Sequence, residues 1–341
     1  MGQTTDFKCP YCGGFVEFDP ASQRFKCLYC SQLMTEEQLQ EPSATEKEQE
    51  ESGYRAYHCQ SCGAQIVTTD TTAATRCYSG HNPVVLSDRL EGEFRPDGVI
   101  PFELDKKGAK EVFGKFIKGK KFVDRQFYAD AQLEDFSGVY YPYWMADVDA
   151  EASFTGTGTR VNVMRGAQYT TTVTKNYRVE REGKITFRNM FRKALSSADR
   201  ILAEGIHPYR YEETKAYNPG YLSGFMAEMR DVEAEKVRKE LSETVRQQAP
   251  SLMKQGSTLG SLTGETSIRS AKVDMKYVLL PAWVLTYKGK KQDGAYYYMM
   301  NGQTGEVCGK LPIDWRRLGL CCLAAGAAVF ALLCMGGALL W

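Results

Sequence analysis

Histidine is scarce in this sequence: three among 341 residues, at His58, His81 and His207. Chemistry built on imidazole therefore has little material. His207 precedes Pro208 in a loop, has no sequence partners that complete a triad, and reads as a solvated side chain. Net charge is nearly absent too. The 43 Lys+Arg balance 42 Asp+Glu to leave +1, so the chain as a whole is not drawn to nucleic acid or anionic lipid. No G-x4-G-K-[ST] loop occurs, which excludes a P-loop helicase or ATPase. Gly156-x-Gly158 is no substitute, because no third glycine falls at the required spacing. The run Thr155-Gly156-Thr157-Gly158 reads as a turn between strands. The opening MGQTTDFKCP lacks the apolar stretch of a secretory leader.

Cysteine is abundant, with 11 residues, and seven of them fall into one pattern. Cys9-Pro-Tyr-Cys12 and Cys27-Leu-Tyr-Cys30 form C-x2-C-x14-C-x2-C. Fifty residues on, Cys59, Cys62 and Cys77 repeat the first three positions, and the fourth, position 80, is Gly. Each C-x2-C turn offers two thiolates to one metal, and two turns together complete a tetrahedral sulfur shell suited to Zn2+. Such a ribbon is too small to fold on burial alone, and bound zinc supplies the missing free energy. Cys9, Cys12, Cys27 and Cys30 are thus expected zinc ligands. In the second unit Cys59, Cys62 and Cys77 are joined by His81, displaced by one residue, as a Cys3His set. His58 and an empty, degraded site are the alternatives. With metal ligands, no leader and no paired framework, the cysteines fit a reducing compartment.

The run from Leu318 to Trp341 carries no charge and follows Arg316 and Arg317. It predicts a transmembrane helix with everything before it in the cytosol. The expected layout is zinc ribbon one at 1–34, an acidic flexible linker at 35–53 and a degenerate ribbon two at 54–94. An α+β domain with an internal pseudo-repeat follows at 95–312, and the membrane helix at 318–341 closes the chain. The fold class is small β zinc ribbons plus an α+β domain with antiparallel sheets.

Within the large domain, Ala109, Val112, Phe113, Phe116 and Ile117 mark a short helix over 105–118, capped by Asp105. A longer helix is expected over 221–248, from Leu222, Phe225, Met226, Met229, Val232, Val237, Leu241 and Val245, with Pro250 after it. Strands are expected over 133–154 and 160–179 and within 267–311. VYYPYW at 139–144 echoes VLLPAW at 278–283, which suggests a duplicated helix-then-meander unit with Pro142 and Pro281 at edges or bulges. No catalytic residue emerges. Cys308 has no base nearby, and the tyrosines alternate as half-buried strands do.

The strings CPYCGG, FKCLYC, YHCQSCGAQIVTTDTTAATRCY and HNPVVL, with PDGVIPF, GVYYPYW, YLSGF and YYMMNGQTGEVCGKLPI, run through nearly the whole chain. Together they resemble bacterial membrane proteins described as carrying a transcription-factor-IIB-type zinc ribbon, a family sometimes mislabelled as primosomal helicase-like. The resemblance implies a membrane-anchored adaptor that uses its ribbons for protein–protein contacts and recruits SPFH-type or phage-shock-type scaffolds. Gly80 departs from the cysteine that the family pattern carries. A nucleic-acid-binding ribbon at the membrane is the alternative, although Arg24 and Lys26 stand against Glu17 and Asp19 within ribbon one and phosphate binding needs several cations.

Overall fold

The computed structural model describes residues 7–39, 54–58, 65–69, 71–76, 83–86, 90, 92–123, 136–166, 168–288, 295–309 and 313–339. A small sheet comes first, β1 (Val16–Asp19), β2 (Arg24–Cys27) and β3 (Leu33–Met34), followed by a hairpin of β4 (Tyr54–His58) and β5 (Gln65–Thr69). Then come β6 (Thr72–Arg76), β7 (Pro83–Val85), β8 (Gly98–Val99), helix α1 (Lys106–Lys118), β9 (Ser137–Arg165) and β10 (Thr170–Lys193). Helix α2 (Arg200–Gly205), β11 (Lys215–Ala216), β12 (Met226–Glu228), helix α3 (Ala234–Lys254), β13 (Ser261–Lys288), β14 (Ala295–Asn301), β15 (Val307–Gly309) and helix α4 (Trp315–Leu339) complete the order. Strands β6 to β15 form one ten-stranded sheet.

The sheet is organised by β9 and β13, of 29 and 28 residues, which pair antiparallel from Ser261↔Thr159 to Val284↔Ser137. Ala146, Val148, Ala150, Ala152 and Phe154 of β9 are buried and alternate with Asp147, Asp149 and Glu151. Such alternation makes one face of a strand apolar and leaves the other to water. Helix α3 lies on the apolar face. Its buried stripe of Val237, Leu241, Val245, Ala249 and Met253 falls at helical spacing. Val245 meets Val148 and Ala150, while Ala249 and Met253 meet Ala152, Phe154 and Ile185. The alanines let the helix approach closely, and each large side chain buried there contributes about 1.5–3 kcal/mol. In α1, Asp105 caps the helix by accepting from the Gly108 amide at 2.6 Å, and Ala109, Phe113 and Ile117 are buried.

The fold differs from the expected class in several ways. The sheet is mixed, because β12 runs parallel to β9 and β8 runs parallel to β13. The echoing segments are neighbours in the same sheet, with Leu279 opposite Pro142 and Pro281 opposite Tyr140. Each has a short parallel neighbour at the matching place, β12 beside Val139 and Tyr140 and β8 beside Val278 and Leu279.

Thr155-Gly156-Thr157-Gly158 is not a turn but the middle of β9. Gly156 pairs with Gly264, and a Cβ on Gly156 would lie 2.2 Å from the Thr263 carbonyl oxygen and 2.9 Å from the Phe154 ring. The glycines are there to admit that close approach. The chain turns later, where the Gly166 amide donates to the Tyr169 carbonyl at 2.8 Å.

The helix expected over 221–248 begins only at Ala234. Residues Pro219–Leu222 form a 3-10 turn, Gly224 takes a φ of +94°, and Met226–Glu228 become a strand beside β9. At the other end, α3 continues through Pro250, because Ala249 and Met253 bury on either side of it.

The apolar run 318–341 falls largely on α4. Among the described residues, however, no helix is long and apolar enough to cross a membrane. Helix α4 opens on Trp315-Arg316-Arg317. This corrects the expected transmembrane helix at 318–341 and the single-pass membrane localisation that rested on it.

Candidate metal centre

The residues that hold the four cysteines of the first unit are two copies of one turn. In the first, the Cys9 amide donates to the Gly14 carbonyl at 2.7 Å and the Gly13 amide to the Cys9 carbonyl at 2.8 Å. In the second, Cys27 donates to Gln32 and Ser31 to Cys27, both at 3.0 Å. Each turn closes with a residue in the left-handed region, Gly13 at φ +72° and Ser31 at +60°. Glycine takes that conformation freely. Strand pairing brackets both turns, with Lys8 opposite Phe15 and Lys26 opposite Leu33.

These turns bring all four sulfurs within 4.8 Å of one another. Cys9 Sγ lies 3.8 Å from Cys30 Sγ, and Cys12 Sγ lies 3.5 Å from Cys27 Sγ. A tetrahedron with metal–sulfur bonds of about 2.3 Å has edges of about 3.8 Å, whereas a disulfide needs about 2.05 Å. The cluster therefore has the geometry to hold a metal ion such as zinc, with all four thiols free. Cys9 and Cys27 are buried, and Cys12 and Cys30 face solvent. Burial pushes the Cys27 thiol up, but the amides of Cys30 and Tyr29, donating to its sulfur at 3.5 and 3.4 Å, bring it down to about 6. The backbone is thus arranged for a thiolate. Lys8, next to Cys9, places its ammonium 3.3 Å over the Phe15 ring.

The cluster is built into the large sheet domain. Cys9, Val16, Phe18, Phe25, Cys27 and Met34 share one buried cluster with Phe102, Tyr140, Tyr221 and Phe225. Phe18 and Phe25 pack against Tyr221 with ring centres 5.0 and 5.4 Å away. The Ser223 hydroxyl donates to the Val16 carbonyl, the Phe18 amide to the Ser223 carbonyl at 3.1 Å, and Gln23 Nε2 to the Phe102 carbonyl at 2.7 Å. Glu17 pairs with Arg76 at 2.9 Å, and the Tyr221 hydroxyl donates to Glu36 at 2.9 Å. Nothing in the sequence marked these residues as docking the ribbon, although Tyr221 and Ser223 lie in YLSGF, because an isolated Ser, Tyr or Arg carries no periodic signal.

Cys59, Cys62, Cys77 and His81 lie outside the described residues, and so does the His58 side chain. The strand pairs that flank them are described: His58 opposite Gln65, and Arg76 opposite Pro83. Each is displaced by fifty residues from its counterpart in the first unit, Lys8 opposite Phe15 and Lys26 opposite Leu33. The remaining histidine, His207, is not solvated as expected. It is half-buried against Tyr143, Phe191 and Tyr209, with Nδ1 2.9 Å from the Tyr211 hydroxyl. That burial lowers its pKa to about 4, against an opposing pull from Glu204.

No known family model matches this chain. It is 29% identical over 312 residues to a Bacillus subtilis (strain 168) protein described as uncharacterized protein YdjG, covering 90% of each chain. No solved structure matches it.

Proposed function

We propose that this chain is a non-enzymatic zinc-ribbon adaptor. Its first ribbon holds structural Zn2+ through Cys9, Cys12, Cys27 and Cys30 and displays a protein-binding surface on the metal turns. Four thiolates fill a tetrahedral shell and leave no position for an activated water or a substrate, the pattern of structural rather than catalytic sites.

The observation that carries the reading is what the turns display. Tyr11 is 64% exposed, Leu28 48%, Tyr29 71% and Leu33 38%. They lie within or beside the two C-x2-C turns. Apolar side chains gathered at one end of a domain mark an interaction surface, and tyrosine is enriched where partners meet. The sheet domain supports this end rigidly through the Ser223, Gln23 and Arg76 contacts. The ribbons are of the transcription-factor-IIB type that the motifs resemble. The second unit takes zinc as well, through Cys59, Cys62, Cys77 and His81, which the repeated strand register supports. The partner is a protein, and the SPFH-type and phage-shock-type scaffolds are the first classes to test.

The test is capture by the full-length chain beside a Tyr11→Ser/Leu28→Ser/Tyr29→Ser form with equal bound zinc. The adaptor reading expects the variant to keep its metal and lose the partner. A partner retained in full by the variant overturns the reading.

A further inference from the structure

Strands β9 and β10 run past the rest of the sheet. Their third companion, β13, begins at Ser261 opposite Thr159, and beyond that point only Arg160–Arg165 and Thr170–Lys175 pair. At about 3.3 Å per residue this two-stranded ribbon extends about 20 Å further. Its charge is one-sided. Between Glu151 and Glu180 stand Arg160, Arg165, Lys175 and Arg178 and no carboxylate. Three of these four cations, Arg160, Arg165 and Lys175, lie on the two-stranded ribbon.

The arm also places like charges together. Arg160 and Lys175 are directly opposite each other, an arrangement that destabilises a ladder unless an anion relieves it. Arg160 donates to the Thr258 hydroxyl at 2.8 Å, and Arg178 meets Glu180 at 2.7 Å. Among the described residues no carboxylate pairs with Arg160, Arg165 or Lys175. Hydroxyls and amides of Thr159, Asn162, Thr172, Thr174 and Asn176 are spread along both faces, with Val161, Val163 and Met164 exposed between them.

We propose that the β9–β10 arm is a binding element for duplex nucleic acid. A two-stranded antiparallel ribbon fits the major groove, and Arg, Lys, Thr and Asn are the side chains that hold phosphates and sugars. A hairpin that entered a lipid surface would gather its apolar residues at the tip. Here Arg165 and Gln168 stand at the turn beside Tyr169, and Val161, Val163 and Met164 lie along the shaft. Edge pairing with a second copy would bring the same cations against each other, which blocks that association. The arm, like helix α1 with Lys106, Lys107, Lys110, Lys115 and Lys118 against Glu111, is a basic element that a polyanion would approach, and of the two only the arm has the two-stranded shape.

The experiment uses the full-length chain, a fluorescein-labelled mixed-sequence DNA duplex, and Arg160→Gln/Arg165→Gln/Lys175→Gln. All three side chains are exposed, so the variant should melt with the native chain. With three cations on phosphates, the slope of log affinity against log salt should be about −2.7, and in the variant it should approach zero. The native chain should also lose about fortyfold in affinity between about 50 and 200 mM salt. Three results would overturn the proposal. They are no duplex binding by the native chain at low salt, the same slope in both chains, and arm-dependent binding to phosphatidylserine vesicles without binding to the duplex.

Discussion

Pro142 of β9 and Pro281 of β13 lie on adjacent central strands, two residues apart in register, and each turns its carbonyl away from the other strand. The Ala194 amide donates to the Pro142 carbonyl and the Gly302 amide to the Pro281 carbonyl, both at 2.9 Å. In an extended strand the N–H and C=O of one residue point to the same side. The donor each proline lacks would therefore face outward as well. On that side β9 changes partner from β12, which ends at Tyr140, to β10, which begins at Tyr143. Likewise β13 changes from β8 at Leu279 to β14 at Ala282. Both prolines occupy gaps where no ladder bond is owed.

This placement makes proline cheap there and costly one residue away. Pro142→Ala and Pro281→Ala are expected to lower stability by only about 0.4–1 kcal/mol each, mostly through a freer unfolded chain. Leu280→Pro removes a donor that faces β9 and is expected to cost about 3 kcal/mol or more. Urea unfolding of the three variants checks the contrast.

Gly138 illustrates how tightly the ribbon end of the sheet is packed. A Cβ there would lie 2.6 Å from Phe225 and 3.3 Å from Phe102, and those two rings stack at 4.2 Å and 9°. Gly138→Ala is expected to cost about 1–3 kcal/mol, read as a lower unfolding midpoint with an unchanged denaturant slope.

His207 sets a pH dependence. Its ordinary pKa of 6.5 falls to about 4 in the folded chain, because burial opposes the charged form. Below pH 6.5 the unfolded chain takes up a proton that the folded chain refuses. The contribution of His207 to stability is therefore complete above pH 6.5 and is lost progressively as pH falls toward about 4. The whole loss is about 3 kcal/mol. In His207→Gln the loss over this window should be smaller by that amount, measured by thermal unfolding between the two pH values.

Features governed by local geometry were legible in the sequence. The first cysteine set, the Asp105 cap and the core face of Val237, Leu241 and Val245 all follow from spacing alone. Features decided by distant partners were not. Gly156 looks like a turn until Gly264 is seen opposite it. Leu222, Phe225 and Met226 match a helical period, yet the space beside β9 draws 226–228 into a strand. The echo of VYYPYW in VLLPAW marks two strands that pair with each other and change outer partners at matching places, a relation that no pattern along the chain discloses. The apolar run after Arg317 predicted a membrane span from composition, whereas among the described residues no helix meets the required length and apolarity. The basic arm was hidden by the near-zero net charge, since its cations are offset elsewhere.

The central claim is that Cys9, Cys12, Cys27 and Cys30 hold a structural metal that is part of the main core. The most direct measurement is elemental analysis joined to thermal unfolding, on the native chain and on Cys9→Ser/Cys12→Ser. Zinc should be present in the native chain, and the variant should contain one fewer ion per chain. Because Cys9 and Cys27 share a buried cluster with Tyr140 and Phe225, the main unfolding transition should move to lower temperature with that loss. Equal zinc in both chains, or zinc lost while the main transition stays where it was, would contradict the account.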